Sequence, residues 1–224
     1  MQPKAIILLS GGLDSTTCLA IAKSQGYDCY ALSVNYGQRH IAELIAAQNV
    51  AKYFGVIEHK IMQINLNTIG GSSLTDEELQ VGNYQKSDNI PNTYVPARNT
   101  ILLSLALAYA EVTGAYDIFI GANVVDYSNY PDCRPAFLTS FEQLAALGTK
   151  AGTEGHAIRI HAPLLHWSKS RIIQEGLVLG VDYSKTVSCY RLTDDGKACG
   201  HCDSCVLRKQ GFAELATLDP TVYA

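Results

Sequence analysis

No stretch of this 224-residue chain is apolar for long enough to cross a bilayer. The run Ala5 to Leu9 is too short for the apolar centre of a secretory leader, and the run Ile101 to Ala110 is broken by Ser104. A cytoplasmic protein with no membrane partner is therefore expected. Positive charge is scarce as well: 17 Lys and Arg against 21 Asp and Glu leave a net charge of −4. That balance argues against a broad nucleic-acid-binding surface and leaves room only for a small basic patch, so no nucleic-acid partner is expected. The two common nucleotide-binding strings, G-x-x-x-x-G-K-S/T and G-x-G-x-x-G, are both missing. Length is not lacking. A chain this long buries roughly 70% of its extended surface in one domain, so neither a disulfide nor a metal is needed simply to fold, and a single domain over 1–224 is expected.

What is present begins with Ser10-Gly11-Gly12-Leu13-Asp14-Ser15, set between the apolar run Ala5 to Leu9 and Thr16-Thr17-Cys18-Leu19-Ala20. The order reads strand, glycine loop, helix. Adjacent glycines allow a sharp turn and a close approach to a ligand, and the free N–H groups of the helix start point back at the loop, forming an anion cradle. On the glycines alone an ordinary strand-to-helix turn remains the alternative. The six-residue string resembles the SGGxDS signature of the PP-loop ATP pyrophosphatase superfamily, whose members cleave ATP to AMP and pyrophosphate. The resemblance implies an ATP site built from Leu8, Leu9, Ser10, Gly11, Gly12, Leu13, Asp14, Ser15, Thr16 and Thr17.

Helix and strand patterns then alternate. A helix over 15–25 stops at Gly26, a strand covers 29–34, a helix runs from about 41 to 54, and a third strand covers 57–64. This order predicts an α/β fold with a doubly wound, parallel, five-stranded sheet. Sites in such sheets lie beyond the carboxyl ends of the strands, so the glycine loop and the Asn35 to His40 loop are expected to face one cleft. The superfamily resemblance implies that Tyr36 and Gln38 lie near the adenosine; a solvated polar loop is the alternative. Residues 65–94 are polar with little periodicity, a lid or a floppy loop. Tyr94-Val95-Pro96-Ala97-Arg98-Asn99 leads into a helix over 100–113, where Arg98 and Asn99 can meet a phosphate and a base edge at the helix start, or Arg98 can form a surface ion pair.

A fourth strand at 116–120 opens into Asn123 to Pro135, dense in hydrogen-bonding side chains and aromatic rings and stiffened by two prolines. Tyr127 or Tyr130 can stack on a flat heteroaromatic substrate while Asn123, Asp126, Asp132 and Arg134 bind its polar edges. The alternative is a packed loop whose carboxylates cap helix ends. A helix over 137–147, a fifth strand at 157–161 and a helix capped by Ser168 follow. Lys169 in that first turn opposes the helix dipole, which an anion nearby would explain; the superfamily places a lysine near the pyrophosphate.

Four of the seven cysteines fall at Cys189, Cys199, Cys202 and Cys205, ahead of a helical tail over 206–218. Four thiolates with C-x2-C spacing suit one tetrahedral structural zinc per chain, holding the C-terminal segment 189–224. An iron–sulfur cluster also takes four cysteines, and His201 can replace one sulfur; both remain alternatives. Cys18, Cys29 and Cys133 read as buried small hydrophobes.

Taken jointly, SGGLDSTT, YVPARN, GANVVDYSNYPDCRP, the Lys169 stretch and SCY followed by CGHCDSC resemble the QueC family, the nitrile-forming synthases of queuosine biosynthesis. One departure is Ala136, where an acidic residue is expected in many relatives. This resemblance implies a C–N ligase that joins ammonia to 7-carboxy-7-deazaguanine and converts the product to 7-cyano-7-deazaguanine at the expense of two ATP. It implies Mg2+ with the ATP, Asp14, Arg98 and Lys169 as the catalytic set, free ammonia as the nitrogen source, and a homodimer. A PP-loop transfer-RNA thiolase and a catalytically silent nucleotide-binding module are the rival readings.

Overall fold

The computed structural model describes residues 2–39, 41–85, 89–125 and 130–224. Its five strands are β1 (Lys4–Leu8), β2 (Asp28–Asn35), β3 (Glu58–Gln63), β4 (Asp117–Phe119) and β5 (Arg159–His161). They form one sheet in the order β3-β2-β1-β4-β5, and every pairing is parallel. Around it lie α1 (Leu13–Ser24), α2 (Ala42–Tyr53), α3 (Arg98–Thr113), α4 (Pro135–Gly148), α5 (Lys150–Thr153), α6 (Lys169–Val178) and α7 (Asp203–Glu214).

The two-residue period of the strands divides the core. Ala5, Ile7 and Leu9 point to one side with Cys29, Ala31 and Phe119, where α1, α2, α6 and α7 cover them. Ile6 and Leu8 point to the other side with Leu32, Val34, Ile118 and Ile120, covered by α3 and α4. A sheet covered on both faces explains why β1 is a continuous apolar run. Strand order runs outward in both directions from β1, so the loops after β1 and β4 separate and leave a crevice above their carboxyl ends.

Residues 65–85, a lid or floppy loop on sequence pattern, pack down instead. Leu66, Leu74, Val81 and Val95 form a third apolar cluster with the four C-terminal cysteines. Arg39 holds this tract by donating to the carbonyls of Ser73, Asp76 and Leu79, and Arg191 donates to Val81 O and Asn83 Oδ1. Among the described residues no helix is long and apolar enough to cross a membrane.

Candidate active site and metal centre

The glycine loop is built for contact on several sides. Gly11 has φ +84°, and a Cβ there would lie 2.3 Å from Glu43 O and 2.5 Å from Ala47 N, so the loop lies directly on the first turns of α2. At the end of β4, a Cβ on Gly121 would come within 3.1 Å of Ser15 N. Ser15 Oγ accepts from Ser10 N (3.1 Å), and Ser10 Oγ accepts from Gly12 N (3.3 Å). These bonds turn the loop back over the start of α1.

The C-terminal segment completes the loop. Val187 N donates to Gly11 O (3.0 Å), and Leu13 N donates to Ser188 Oγ (3.2 Å). Beside it, Lys169 Nζ donates to both carboxylate oxygens of Asp14, at 2.7 and 2.9 Å. The lysine side chain is 8% exposed and the aspartate 22%, so this pair is shielded from water on most sides. Gly211 of α7 permits it: a Cβ there would sit 2.7 Å from Lys169 Cγ.

Above the sheet lies a cleft of about 220 Å³. Leu8, Leu32, Val34, Ile120 and Ala122 form its apolar floor; Ser10, Asp14 and Ser15 line one wall, and Tyr36, Gln38 and Glu43 another. Arg98, Asn99, Tyr130 and Cys133 stand on the α3 side, with Ser188, Tyr190 and Ser204 from the C-terminal segment. Arg98 starts α3 directly after Ala97, whose left-handed φ of 54° is costly for a residue with a Cβ. Its guanidinium lies 5.7 Å from the Tyr36 ring centroid and donates to Tyr36 Oη at 3.4 Å. Burial works against the Arg98 charge, but the phenols of Tyr36, Tyr130 and Tyr190 around it raise its pKa further, so it stays a cation. Glu43 is pushed up to about 7 by burial, with Arg98 pulling the other way.

The structure thus brings Leu8, Leu9, Ser10, Gly12, Leu13, Asp14, Ser15, Tyr36, Gln38, Arg98, Asn99, Asn123 and Tyr130 to one cleft. Other residues singled out in the sequence are placed elsewhere. Gly11 touches α2 rather than the cleft, and Thr16 and Thr17 are buried in α1, with Thr17 Oγ1 2.7 Å from Tyr183 Oη. Lys169 sits behind Asp14. Asp132 Oδ2 accepts from Asn99 N at 3.0 Å, so this carboxylate caps α3, the capping arrangement that the composition of its loop had left open. Asn99 Nδ2 donates to Asp132 O and Cys133 Sγ, and Asn123 Nδ2 donates to Leu164 O and Trp167 O, both at 2.7 Å. Both amides therefore hold loops together. Arg134 is exposed at the start of α4, and Asp126 and Tyr127 lie outside the described residues. Cys133 meets the cleft, but burial pushes its thiol up to about 11 and so keeps it protonated and a poor nucleophile. Sequence reading missed Glu43, which looks like an ordinary first-turn acid, and Ser188 and Tyr190, which only flank a cysteine.

The candidate metal centre is a separate construction. The sulfurs of Cys189, Cys199, Cys202 and Cys205 all lie within 4.8 Å of one another, and all four residues are buried. Cys189 Sγ accepts from the backbone N–H of Arg191 and of Cys199, and Cys199 Sγ from Cys202 N, each at 3.3 Å. Such donors stabilise thiolates, and one tetrahedral ion with metal–sulfur bonds of about 2.3 Å fits within that spacing. His201 is exposed and not part of the group.

Residues 4–216 match the family described as "Queuosine biosynthesis protein QueC". The chain is 60% identical over 222 residues to a 7-cyano-7-deazaguanine synthase of Stutzerimonas stutzeri, covering 99% of each chain. It is 59% identical over 223 residues to the protein of that name from Dechloromonas aromatica, covering 100% of this chain and 99% of the relative. Among solved structures it resembles an NMN synthetase from Francisella tularensis (TM-score 0.52, 15% identity, 97% of this chain and 78% of that one). It also resembles a predicted subunit of a tRNA methyltransferase from Methanocaldococcus jannaschii (TM-score 0.51, 15% identity, 99% and 92%). At such identity these two likenesses speak for the fold alone.

Proposed function

The chain belongs to the QueC family of queuosine biosynthesis proteins, an enzyme family forming a C–N bond, and we propose that it makes 7-cyano-7-deazaguanine from 7-carboxy-7-deazaguanine, ammonia and two ATP. The observation that carries this reading is the full-length family match, in a chain whose glycine loop and Arg98 line one cleft.

The chemistry activates one carbon twice. The substrate carboxylate attacks the α-phosphorus of ATP, and pyrophosphate leaves. Ammonia adds to the acyl carbon, AMP departs, and loss of a proton from nitrogen gives the amide. The amide oxygen then attacks a second ATP, again releasing pyrophosphate; loss of the remaining N–H protons and of AMP leaves the nitrile. No step needs a side-chain nucleophile. The protein's part is positioning and charge: loop amides of residues 10–15 receive the pyrophosphate end, and Arg98 balances phosphate charge from the opposite wall. Lys169 neutralises Asp14 and fixes the first turn of α1 beneath the phosphates. Magnesium supplies further charge neutralisation when it arrives with ATP, and Asp14 is the carboxylate beside the loop that would hold it. Tyr36 and Gln38 serve the adenosine, and Tyr130 with residues 123–134 the flat base.

The ion between the four cysteines is read as zinc, since a single-ion spacing with four sulfurs and no open position is a structural arrangement. The whole chain works as one domain with the segment 189–224 pinned to it, as a homodimer in the cytoplasm acting on small molecules.

Incubation with ATP, magnesium, ammonia and 7-carboxy-7-deazaguanine should yield AMP, pyrophosphate and the nitrile. ADP in place of AMP would overturn the superfamily chemistry, and AMP without nitrile would overturn the substrate.

A further inference from the structure

Next to the cleft lies a second, much smaller chamber of about 20 Å³, lined by Tyr36, Gln38, Arg39, Glu43, Leu74 and Tyr190 with Cys189 behind. It shares Tyr36, Gln38, Glu43 and Tyr190 with the cleft, so the two spaces adjoin. A space of this size suits one water-sized molecule.

Its chemistry is selective. Glu43 is half-buried in the lining, and among the described residues no hydrogen bond is recorded for its carboxylate, which Arg98 influences electrostatically. Tyr36 and Tyr190 supply aromatic rings, which attract small cations. The groups facing Glu43 come from three elements: Arg98 on α3, Tyr36, Gln38 and Arg39 on the loop after β2, and Tyr190 on the C-terminal segment. Arg39 is turned away, its guanidinium committed to the carbonyls of Ser73, Asp76 and Leu79. Among the described residues Arg98 is the remaining cation, and phosphate bound in the cleft would take up its charge. With that charge taken up, Glu43 faces a water-sized space toward which no further side-chain cation is turned among the described residues.

We propose that this chamber is the ammonium site, where the Glu43 carboxylate holds the cation and takes one proton from it as nitrogen passes into the cleft. The inference rests on the synthase reading above, which requires ammonia but assigns it no place. The step balances simply: ammonium gives one proton to the carboxylate, the resulting ammonia carries its lone pair to the acyl carbon, and the Glu43 carboxyl returns the proton to solvent between turnovers. A carboxyl raised toward neutrality is a better match for this exchange than an ordinary one.

Two rates on the intact enzyme test it. Pyrophosphate–ATP exchange dependent on 7-carboxy-7-deazaguanine reports adenylation without ammonia, and nitrile formation against ammonium concentration reports nitrogen use. Glu43→Gln should raise the ammonium KM by about ten- to a hundredfold relative to any change in exchange, as expected for loss of a charged hydrogen bond. It should also remove a pH dependence of kcat/KM for ammonium near neutrality. Leu74→Ala, which widens the chamber from the side away from the cleft, should let methylamine enter and yield the N-methylamide, a product that cannot go on to a nitrile. An unchanged ammonium KM, or exchange falling in parallel with nitrile formation, would overturn the ammonium site. Absence of exchange in the unaltered protein would instead overturn the synthase reading.

Discussion

Lys169 Nζ meets both oxygens of Asp14, at 2.7 and 2.9 Å, across 155 positions of sequence. The pair joins the first turn of α6 to the first turn of α1, immediately behind the loop that faces the cleft. A lysine at a helix start is unfavourable alone and is explained here by the carboxylate it reaches.

Asp14→Ala should therefore lower turnover by on the order of a hundredfold or more, since it unseats the loop proposed to receive the phosphates. It also removes the carboxylate that accepts two hydrogen bonds from a shielded ammonium, and should lower thermal stability. Metal content, read by elemental analysis, should not change; activity close to that of the unaltered protein would remove Asp14 from the site.

Ser188 links the four-cysteine group to the same loop, because its hydroxyl accepts from Leu13 N while the next residue is a cysteine of the cluster. Stripping the metal, or Cys202→Ser, should expose residues 189–224 to protease and raise the KM for ATP together. Ser188→Ala should raise that KM severalfold with the metal retained. Complete metal loss with an unaltered KM for ATP would break the proposed link.

Two glycines with the same φ of +84° separate steric from backbone effects. Gly26→Ala meets nothing within 4 Å, so its cost should be the left-handed backbone alone, about 1–2 kcal/mol. Gly11→Ala drives a methyl into the backbone of α2 and should cost on the order of 2–4 kcal/mol and most ATP binding. Thermal unfolding of the two variants decides the comparison, and equal losses would contradict the packing of the loop on α2.

Asp219 provides the acid-sensitive fastening of the tail. Burial raises its pKa, but Arg208, whose Nε lies 3.1 and 3.3 Å from its two oxygens, together with Tyr223 and Thr221, outweighs burial and leaves it lowered. A depressed folded value means that its stabilisation is present above the unfolded pKa of about 3.9 and is lost as pH falls through the lower folded one. Hydrogen exchange in residues 203–224 should accelerate over that acid range, and Asp219→Asn should abolish the dependence while loosening the tail at neutral pH.

The periodic parts of this molecule could be read from its sequence, and contacts made by single residues could not. The helix expected over 41–54 is Ala42–Tyr53, and the strand expected over 57–64 is Glu58–Gln63, because apolar spacing and the glycine at 55 mark them locally. The helix expected over 206–218 is Asp203–Glu214: it starts straight after Cys202, and Ala216 turns left-handed beyond it. Residues 65–85 show no period because two arginines hold their carbonyls, a fastening with no signature in the tract itself. Asp132 belongs to the same class. Its partner is the backbone of Asn99, 33 residues earlier, so only the fold distinguishes a capping carboxylate from one that faces a ligand.

The bond from Val187 N to Gly11 O has a consequence for the chain during its own synthesis. The glycine loop leaves the ribosome about 175 residues before its brace at 187–188 and the cysteine cluster ending at Cys205. A growing chain therefore carries an unbraced glycine loop until residues 187–188 are made, and a product truncated before them keeps the signature string without the brace.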